Sequence, residues 1–275
     1  MKATLNPATP APWVVAVLVP AFNEADAIAG VIREYLALSR DFAGHNLRFE
    51  LHIIDNGSTD GTAKVAASEL HLARDCHVHR VAVRGKGNAV RWAFSNIQGD
   101  FYVLVDADLS YSMTDIPALV AIVANGICEM AVGDRLIGGA YRKAHGPDFR
   151  WAANEFVSWV IGWSLQQSRV DALSGLRVLH GPLARSMDLR EGGFALETEL
   201  MFEAARLRAR IHSLPAVYRG RPAGQKSKLV TSKDGPIILW TLVRRLLAHH
   251  TKSKRASVAR SAVVRHRGSD SSMER

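Results

Sequence analysis

A chain of 275 residues, 48% of them apolar, can bury a sizeable core, which excludes a disordered protein and allows one large domain or two small ones. Its formal charge of +9 is lopsided: from Arg244 onward nine Lys/Arg face two Asp/Glu, a balance of +7 that leaves +2 for everything before it. Cys76 and Cys128 are too few for a disulfide framework or a zinc cluster, and no apolar run approaches the roughly 18 to 20 residues that cross a bilayer. The proline-interrupted start lacks the pattern of a signal peptide, so the expected location is cytoplasmic, with contact at the inner face of the membrane left open.

Apolar, β-branched runs at Val14–Val19, Leu47–Ile54, Val78–Val83 and Phe101–Val105 predict strands. Between them, Ala25–Leu38, Thr59–Leu72 and Asn88–Ile97 carry helical periodicity, and Glu129–Gly133 is the next strand. This βαβαβαβ alternation predicts an α/β fold with a mostly parallel central sheet flanked by helices, in which ligands sit outside the carboxyl ends of the strands. Beyond about Gly138 a Gly/Arg-rich connection precedes a long apolar helix, Phe149–Gln167, then strands at Gly175–Leu179 and Arg210–Tyr218. The expected organisation is a flexible start over 1–12 and a catalytic domain over 13–235. An apolar helix over 236–250 and a basic, disordered tail over 251–275 follow.

The residues of unusual chemistry fall where strands end. Asp106 and Asp108 follow an apolar strand one residue apart, so a strand's alternation would turn both to one face, where two hard oxygen donors suit a divalent cation. Acidic residues after strands also serve turns, and the pair alone does not decide. The first strand ends in Pro20-Ala21-Phe22-Asn23-Glu24 and the second in Asp55-Asn56-Gly57-Ser58-Thr59-Asp60-Gly61-Thr62. Asp55 and Glu24 can accept from ribose hydroxyls or a base N–H, while Ser, Thr and Asp equally well cap a helix. Lys86 stands between two glycines at a helix start, a place that favours an anion, although the spacing is not that of a Walker loop and an ordinary turn lysine is the plainer reading of the residue alone.

Taken in order and spacing, Val17-Leu18-Val19-Pro20-Ala21-Phe22-Asn23-Glu24, the Asp55–Thr62 segment, Gly85-Lys86-Gly87-Asn88-Ala89 and Asp106-Ala107-Asp108 resemble the family 2 glycosyltransferases. Downstream, Gly133-Asp134-Arg135-Leu136, Asp171-Ala172-Leu173-Ser174-Gly175-Leu176-Arg177, Phe194-Ala195-Leu196-Glu197-Thr198-Glu199-Leu200 and Ser227-Lys228-Leu229 resemble the polyprenyl-phosphate hexosyltransferase branch, typified by dolichyl-phosphate mannose synthase. The resemblance covers about residues 14 to 247. It implies a GT-A fold, a nucleotide-sugar donor of the GDP-mannose or UDP-glucose class, and a Mg or Mn ion. The donor half is then about 13–134 and the acceptor half about 135–235.

On that resemblance Pro20, Ala21, Glu24 and Asp55 hold the nucleoside, with Asn23, Lys86 and Ala107 in the same donor-binding set. Asp106 and Asp108 present the metal to the donor diphosphate, with Ser110 as a weaker third ligand. The implied acceptor, polyprenyl phosphate, is already an anionic nucleophile and needs positioning cations more than a base. Arg135 and Arg177 match the branch's arginines, and Arg221 and Lys228 are further candidates. A neutral hydroxyl acceptor would instead need a base, for which Asp171 is the candidate. Glu197 and Glu199, two apart in a helical run, face different ways and are less attractive as that base, their plainer reading being a helix N-terminal turn with one buried partner.

Many relatives in this branch carry membrane-spanning helices after the catalytic domain, where this chain has Ile237–Leu247, an apolar helix followed by basic residues. That helix suits either an anionic membrane surface or packing against the domain, and Trp151, Trp159 and Trp163 pose the same choice for the earlier helix, with a core helix the plainer reading. No nucleic-acid motif and no interleaved aromatics accompany the basic tail, so nucleic acid is not an expected partner.

Overall fold

The computed structural model describes residues 11–41, 46–71, 73–146, 149–165, 170–221 and 235–247. Its strands are β1 (Trp13–Ala21), β2 (Leu47–Asp55), β3 (Cys76–Arg80), β4 (Phe101–Leu104), β5 (Met130–Asp134), β6 (Arg177–His180) and β7 (Ile211–Pro215). The helices are α1 (Ala25–Asp41), α2 (Thr62–Leu70), α3 (Lys86–Asn96), α4 (Ile116–Ala124), α5 (Ala140–His145), α6 (Phe149–Leu165), α7 (Gly181–Arg185), α8 (Leu196–Arg206) and α9 (residues 235–247).

The strands make one sheet in the order β3-β2-β1-β4-β6-β5-β7. The first four run parallel, as do β5 and β7, but β6 is antiparallel to both of its neighbours. The expected mostly parallel sheet is therefore present, with one reversed strand inserted between β4 and β5. Strand β3 begins and ends earlier than its apolar run: Val81 still donates to the Asp55 carbonyl, but Val83 is exposed.

Helices cover both faces of the sheet, which explains why β1 and β4 read as continuous apolar runs and do not alternate. One core packs Ala16, Leu18 and Ile54 against α3, α6 and α8; the other packs Val15, Val17 and Leu51 against α1 and α4. Helix α1 shows what drives the layering. Ile28, Val31, Ile32, Tyr35 and Leu38 recur at helical spacing and are all buried. At about 2 kcal/mol each they contribute on the order of 10 kcal/mol before entropy, against at most about 1 kcal/mol from each of the charges that suit its ends, Asp26 and Arg40.

On the α3 side of β2 and β3 lies a stack of three histidines. His52 faces His77 across the ladder, with ring centroids 5.0 Å apart, and lies 5.3 Å from His79, whose ring packs on Trp92 of α3. The Nδ1 of His52 and the Nε2 of His79 are 3.0 Å apart and share one hydrogen bond. Burial first, and then His79 and His77, push the pKa of His52 from 6.5 down to about 3.

Candidate active site

In the strand order, β1 leads outward to β2 on one side while β4 lies on its other side, so a crevice opens where the order reverses. The turns after β1, β2, β4 and β5 and the segment leading into β6 meet at this edge.

On the donor side, much of the predicted recognition segment holds neighbouring turns together. Asn23 accepts from the Thr59 amide at 2.8 Å, the Glu24 amide donates to Thr62 Oγ1 at 2.9 Å, and Asp60 caps both Ala25 and Thr62. Asn56 bridges onward, donating to the Val83 carbonyl at 2.6 Å and accepting from the Gly85 amide. Ser58 to Thr62 thus tie this turn to the start of α1, while the N-cap of α2, Gly61, makes no side-chain cap bond. Asp55 is different. It is completely buried, one carboxylate oxygen accepts from the Ser58 amide, and the other has no hydrogen-bond partner, with Arg80 Nε 3.6 Å away. A buried carboxylate oxygen left unsatisfied at a strand end fits a donor brought by a ligand. Pro20 and Ala21 close β1 beside it, and Glu24 is buried.

The glycines around Lys86 answer to packing. A Cβ on Gly85 would stand 2.0 Å from the Gly192 carbonyl oxygen and one on Gly87 1.9 Å from that of Glu191, while the Asn88 amide donates to Gly192. The start of α3 is covered by this backbone rather than open to an anion, as the plainer reading of Lys86 as a turn residue has it. The Lys86 ammonium lies between two carboxylates, 2.6 Å from Asp106 Oδ1 and 2.6 Å from Glu197 Oε1. Burial works against its charge, but the two carboxylates outweigh it and hold its pKa above the ordinary lysine value. Asp106 responds in the opposite sense: burial pushes its pKa up, and Lys86, then Arg135 and Arg221, bring it below the usual carboxylate range.

Strand β4 ends at Leu104, so Asp106 and Asp108 occupy the turn beyond it, helped by Leu109 with φ of 60°. Asp108 is buried; it accepts from the amide and hydroxyl of Ser110 and receives Arg221 Nη2 at 2.7 Å. Asp106 Oδ2 turns to Gly175, where a Cβ would sit only 2.1 Å from it. The missing side chain is what gives this carboxylate its room. Among the described residues no group of three His, Cys, Asp or Glu could hold a metal. Two hard carboxylates, each already attracting a cationic side chain, nevertheless fit a divalent ion whose remaining ligands are water and diphosphate.

Facing this pair, Arg135 follows β5 and grips Asp171 with Nε at 2.6 Å and Nη2 at 2.9 Å, while its guanidinium lies 5.1 Å from the Tyr141 ring centre and 5.5 Å from that of Tyr218. Burial opposes its charge, Asp171 more than compensates, and its pKa stands well above the usual arginine value. Asp134 orders this turn by accepting from the amides of Leu136, Ile137 and Asp171. Tyr111 accepts from the Gly175 amide and sits against Tyr218.

Arg177, the second predicted acceptor cation, is held by backbone carbonyls. It is 1% exposed, donates to the Ala172 and Ser174 carbonyls, and keeps Nη1 buried without a partner. Burial lowers its pKa, against the pull of the nearby Glu197 and Asp171 carboxylates. Asp171, the candidate base, is engaged by Arg135 and by the Leu173 amide. Glu197, one of the two less attractive base candidates, is brought into the site by α8, whereas Glu199 accepts from the amides of Arg190 and Glu191 and pairs with Arg245. Lys228 lies outside the described residues.

This arrangement can be set beside known proteins. The family model for glycosyl transferase family 2 matches residues 16–169. The glycosyltransferase AglJ of Haloferax volcanii is 32% identical over 256 residues, covering 86% of this chain and 73% of that protein. The dolichol-phosphate mannosyltransferase of Pyrococcus furiosus is 28% identical over 192 residues, covering 69% of this chain and 52%, about half, of its own length. The crystal structure of Mycobacterium tuberculosis glucosyl-3-phosphoglycerate synthase with Mn2+, UDP-glucose and phosphoglyceric acid superimposes with a TM-score of 0.61 at 20% identity, covering 85% of this chain and 80% of that one. At that identity the likeness concerns the fold, which is GT-A. With a family model spanning more than half of the chain and a relative aligned along most of it, the chain belongs to glycosyl transferase family 2.

Proposed function

We propose that this glycosyltransferase moves a hexose from a nucleoside-diphosphate sugar to a polyprenyl phosphate, with inversion at the anomeric carbon. The observation that carries the reading is the meeting, at one sheet edge, of the Asp106–Asp108 pair with the cations Lys86, Arg135 and Arg221. Acidic groups suit the metal of a diphosphate donor, and the cations suit an acceptor that is itself a phosphate. The similarity to a dolichol-phosphate mannosyltransferase supports the lipid form of that phosphate.

In this reading residues 13–134 serve the donor and 135–235 the acceptor. The unsatisfied oxygen of Asp55 accepts from the nucleoside, beside Pro20, Ala21 and Glu24. Asp106 and Asp108 hold Mg or Mn, which when bound neutralises charge on the departing diphosphate. Lys86, pinned by Glu197, keeps Asp106 ionised and oriented. Arg135 and Arg221 hold the acceptor phosphate near the anomeric carbon. A phosphate oxygen then forms the new C–O bond while the bond to the diphosphate breaks and its electron pair leaves with it; no proton has to move. The engagement of Asp171 by Arg135 counts against a hydroxyl acceptor that needs a base.

The test is transfer from GDP-mannose, UDP-glucose and UDP-N-acetylglucosamine to polyprenyl phosphate in Mg or Mn, with wild type, Asp108→Ala and Arg135→Ala. The expected result is lipid-linked product from wild type, loss of turnover in Asp108→Ala with the fold retained, and impaired acceptor use in Arg135→Ala. Full turnover by Asp108→Ala refutes the metal role. Donor hydrolysis without lipid product refutes the acceptor.

A further inference from the structure

Thirteen large apolar side chains are exposed among the described residues, and eight of them lie on two helices. On α6, Phe156, Trp159 and Trp163 are 58%, 59% and 67% exposed at spacings of three and four, forming one outward stripe, while Val157, Ile161 and Leu165 of the same helix face the core. Helix α9 repeats the arrangement: Ile237, Trp240 and Leu247 point outward at 51%, 66% and 64%, and Ile238, Thr241 and Leu242 point inward. Residues 156–165 and 235–243 contain no charged residue at all. An ordinary surface helix carries charge along its outer face; over these stretches the two helices carry aromatic and aliphatic groups there instead, with Arg244 exposed only in the last turn of α9.

Both helices pack their inner residues into the same core, on the same side of the sheet. Helix α9 is fastened by Arg245 to Glu199 and Glu203 of α8. Helix α6 is fastened to the acceptor side, because Ser158 Oγ accepts from the Ala172 amide at 3.0 Å, next to the Asp171 that holds Arg135.

We infer that these two outer faces together form a docking surface for an anionic lipid bilayer. Tryptophans at 159, 163 and 240 suit the boundary between headgroups and acyl chains. The occupant is chosen by charge. From Arg244 onward the sequence carries +7, which a second copy would repel and anionic headgroups attract, with basic groups near such a surface each adding to the attraction. The inference deepens the lipid-phosphate reading, on which its biological purpose rests. The surface would bring the Arg135 side of the site to the plane where a membrane-borne phosphate is found.

The experiment is flotation of the full chain with vesicles of phosphatidylcholine alone and of phosphatidylcholine with phosphatidylglycerol, for wild type and for Trp159→Ser/Trp163→Ser/Trp240→Ser. Wild type should bind the anionic vesicles, more weakly as salt rises, and the triple variant should lose about tenfold or more of that partition. Quenching of wild-type tryptophan fluorescence by brominated lipid reads the same insertion without a variant. Absence of flotation and quenching overturns the inference, as does unchanged partition of the folded triple variant or a dimer in light scattering that buries these tryptophans. Transfer to a short, water-soluble prenyl phosphate separates the two readings. Its loss in wild type with vesicle binding intact sinks only the acceptor, and its persistence without vesicle binding sinks only the surface.

Discussion

Acid should loosen this protein through His52, and the size of the effect follows from the histidine stack. The unfolded chain takes up a proton at about pH 6.5, whereas folded His52, 5% exposed and beside two other histidines, resists it to about pH 3. The unfolded state therefore binds the proton first. Stability is full above about pH 6.5 and falls as the pH drops toward 3, at about 1.4 kcal/mol per unit. Integrated from pH 7 to pH 5, this loss is about 2 kcal/mol, a sizeable part of the roughly 5 to 15 kcal/mol that holds a domain together. His79, lowered by burial and by His77, adds a loss of the same sign. Urea unfolding of wild type and His52→Gln at pH 7, 6 and 5 checks it, since carboxylates titrate mostly below this range. The wild-type curve should lose at least about 2 kcal/mol more than the variant's. Parallel pH dependences for the two proteins would refute the reasoning. Because His79 packs on Trp92 in the helix that begins with Lys86, turnover should decline over the same interval.

The contact between Arg221 and Asp108 places a cation on a proposed metal ligand, so Arg221→Met should tighten Mn2+ binding about tenfold by titration calorimetry or electron paramagnetic resonance. Unchanged or weaker binding would show that the two do not compete, and retained Mn2+ binding in Asp108→Ala would instead remove the metal site itself. Gly175→Ala puts a methyl group 2.1 Å from Asp106 Oδ2, so it should cost about 1 to 3 kcal/mol in thermal unfolding and pull Asp106 off Lys86, with at least a tenfold fall in kcat. Wild-type turnover in a folded Gly175→Ala protein contradicts that account.

Much of the first half was legible because β-branched runs and helical periodicity report elements directly, and the strand-end segments report where the chemistry gathers. Strand direction is another matter: nothing in Arg177–His180 distinguishes a reversed strand from a parallel one, since either is buried on both faces. The same blindness affected individual side chains. Arg177 belongs to a recognisable segment, yet its position on β6 turns it inward to two carbonyls. The two-residue spacing of Glu197 and Glu199 argues against both, because the partner that draws Glu197 into the site, Lys86, is 111 residues away, and Asp134 gives no signal because its work is to hold amides. The Gly-Lys-Gly spacing suggested an anion, while its cause was the backbone of Glu191 and Gly192, a contact no local pattern announces. The apolar stripe of α6 was visible as Trp159 and Trp163, but periodicity assigned it no direction, and the plainer reading as core proved wrong for the outward face.

The reversed strand between β4 and β5 also bears on how the chain can be made. Neither neighbour pairs with the other, and only β6 joins them, through Phe101–Leu104 on one side and Met130–Val132 on the other. During synthesis the first four strands can pair as they emerge, but β5 has no place in the sheet until residue 180 has cleared the ribosome. A fragment ending at residue 134, although it holds every proposed donor-side group except Glu197, would end in an unpaired apolar strand with a strong tendency to aggregate.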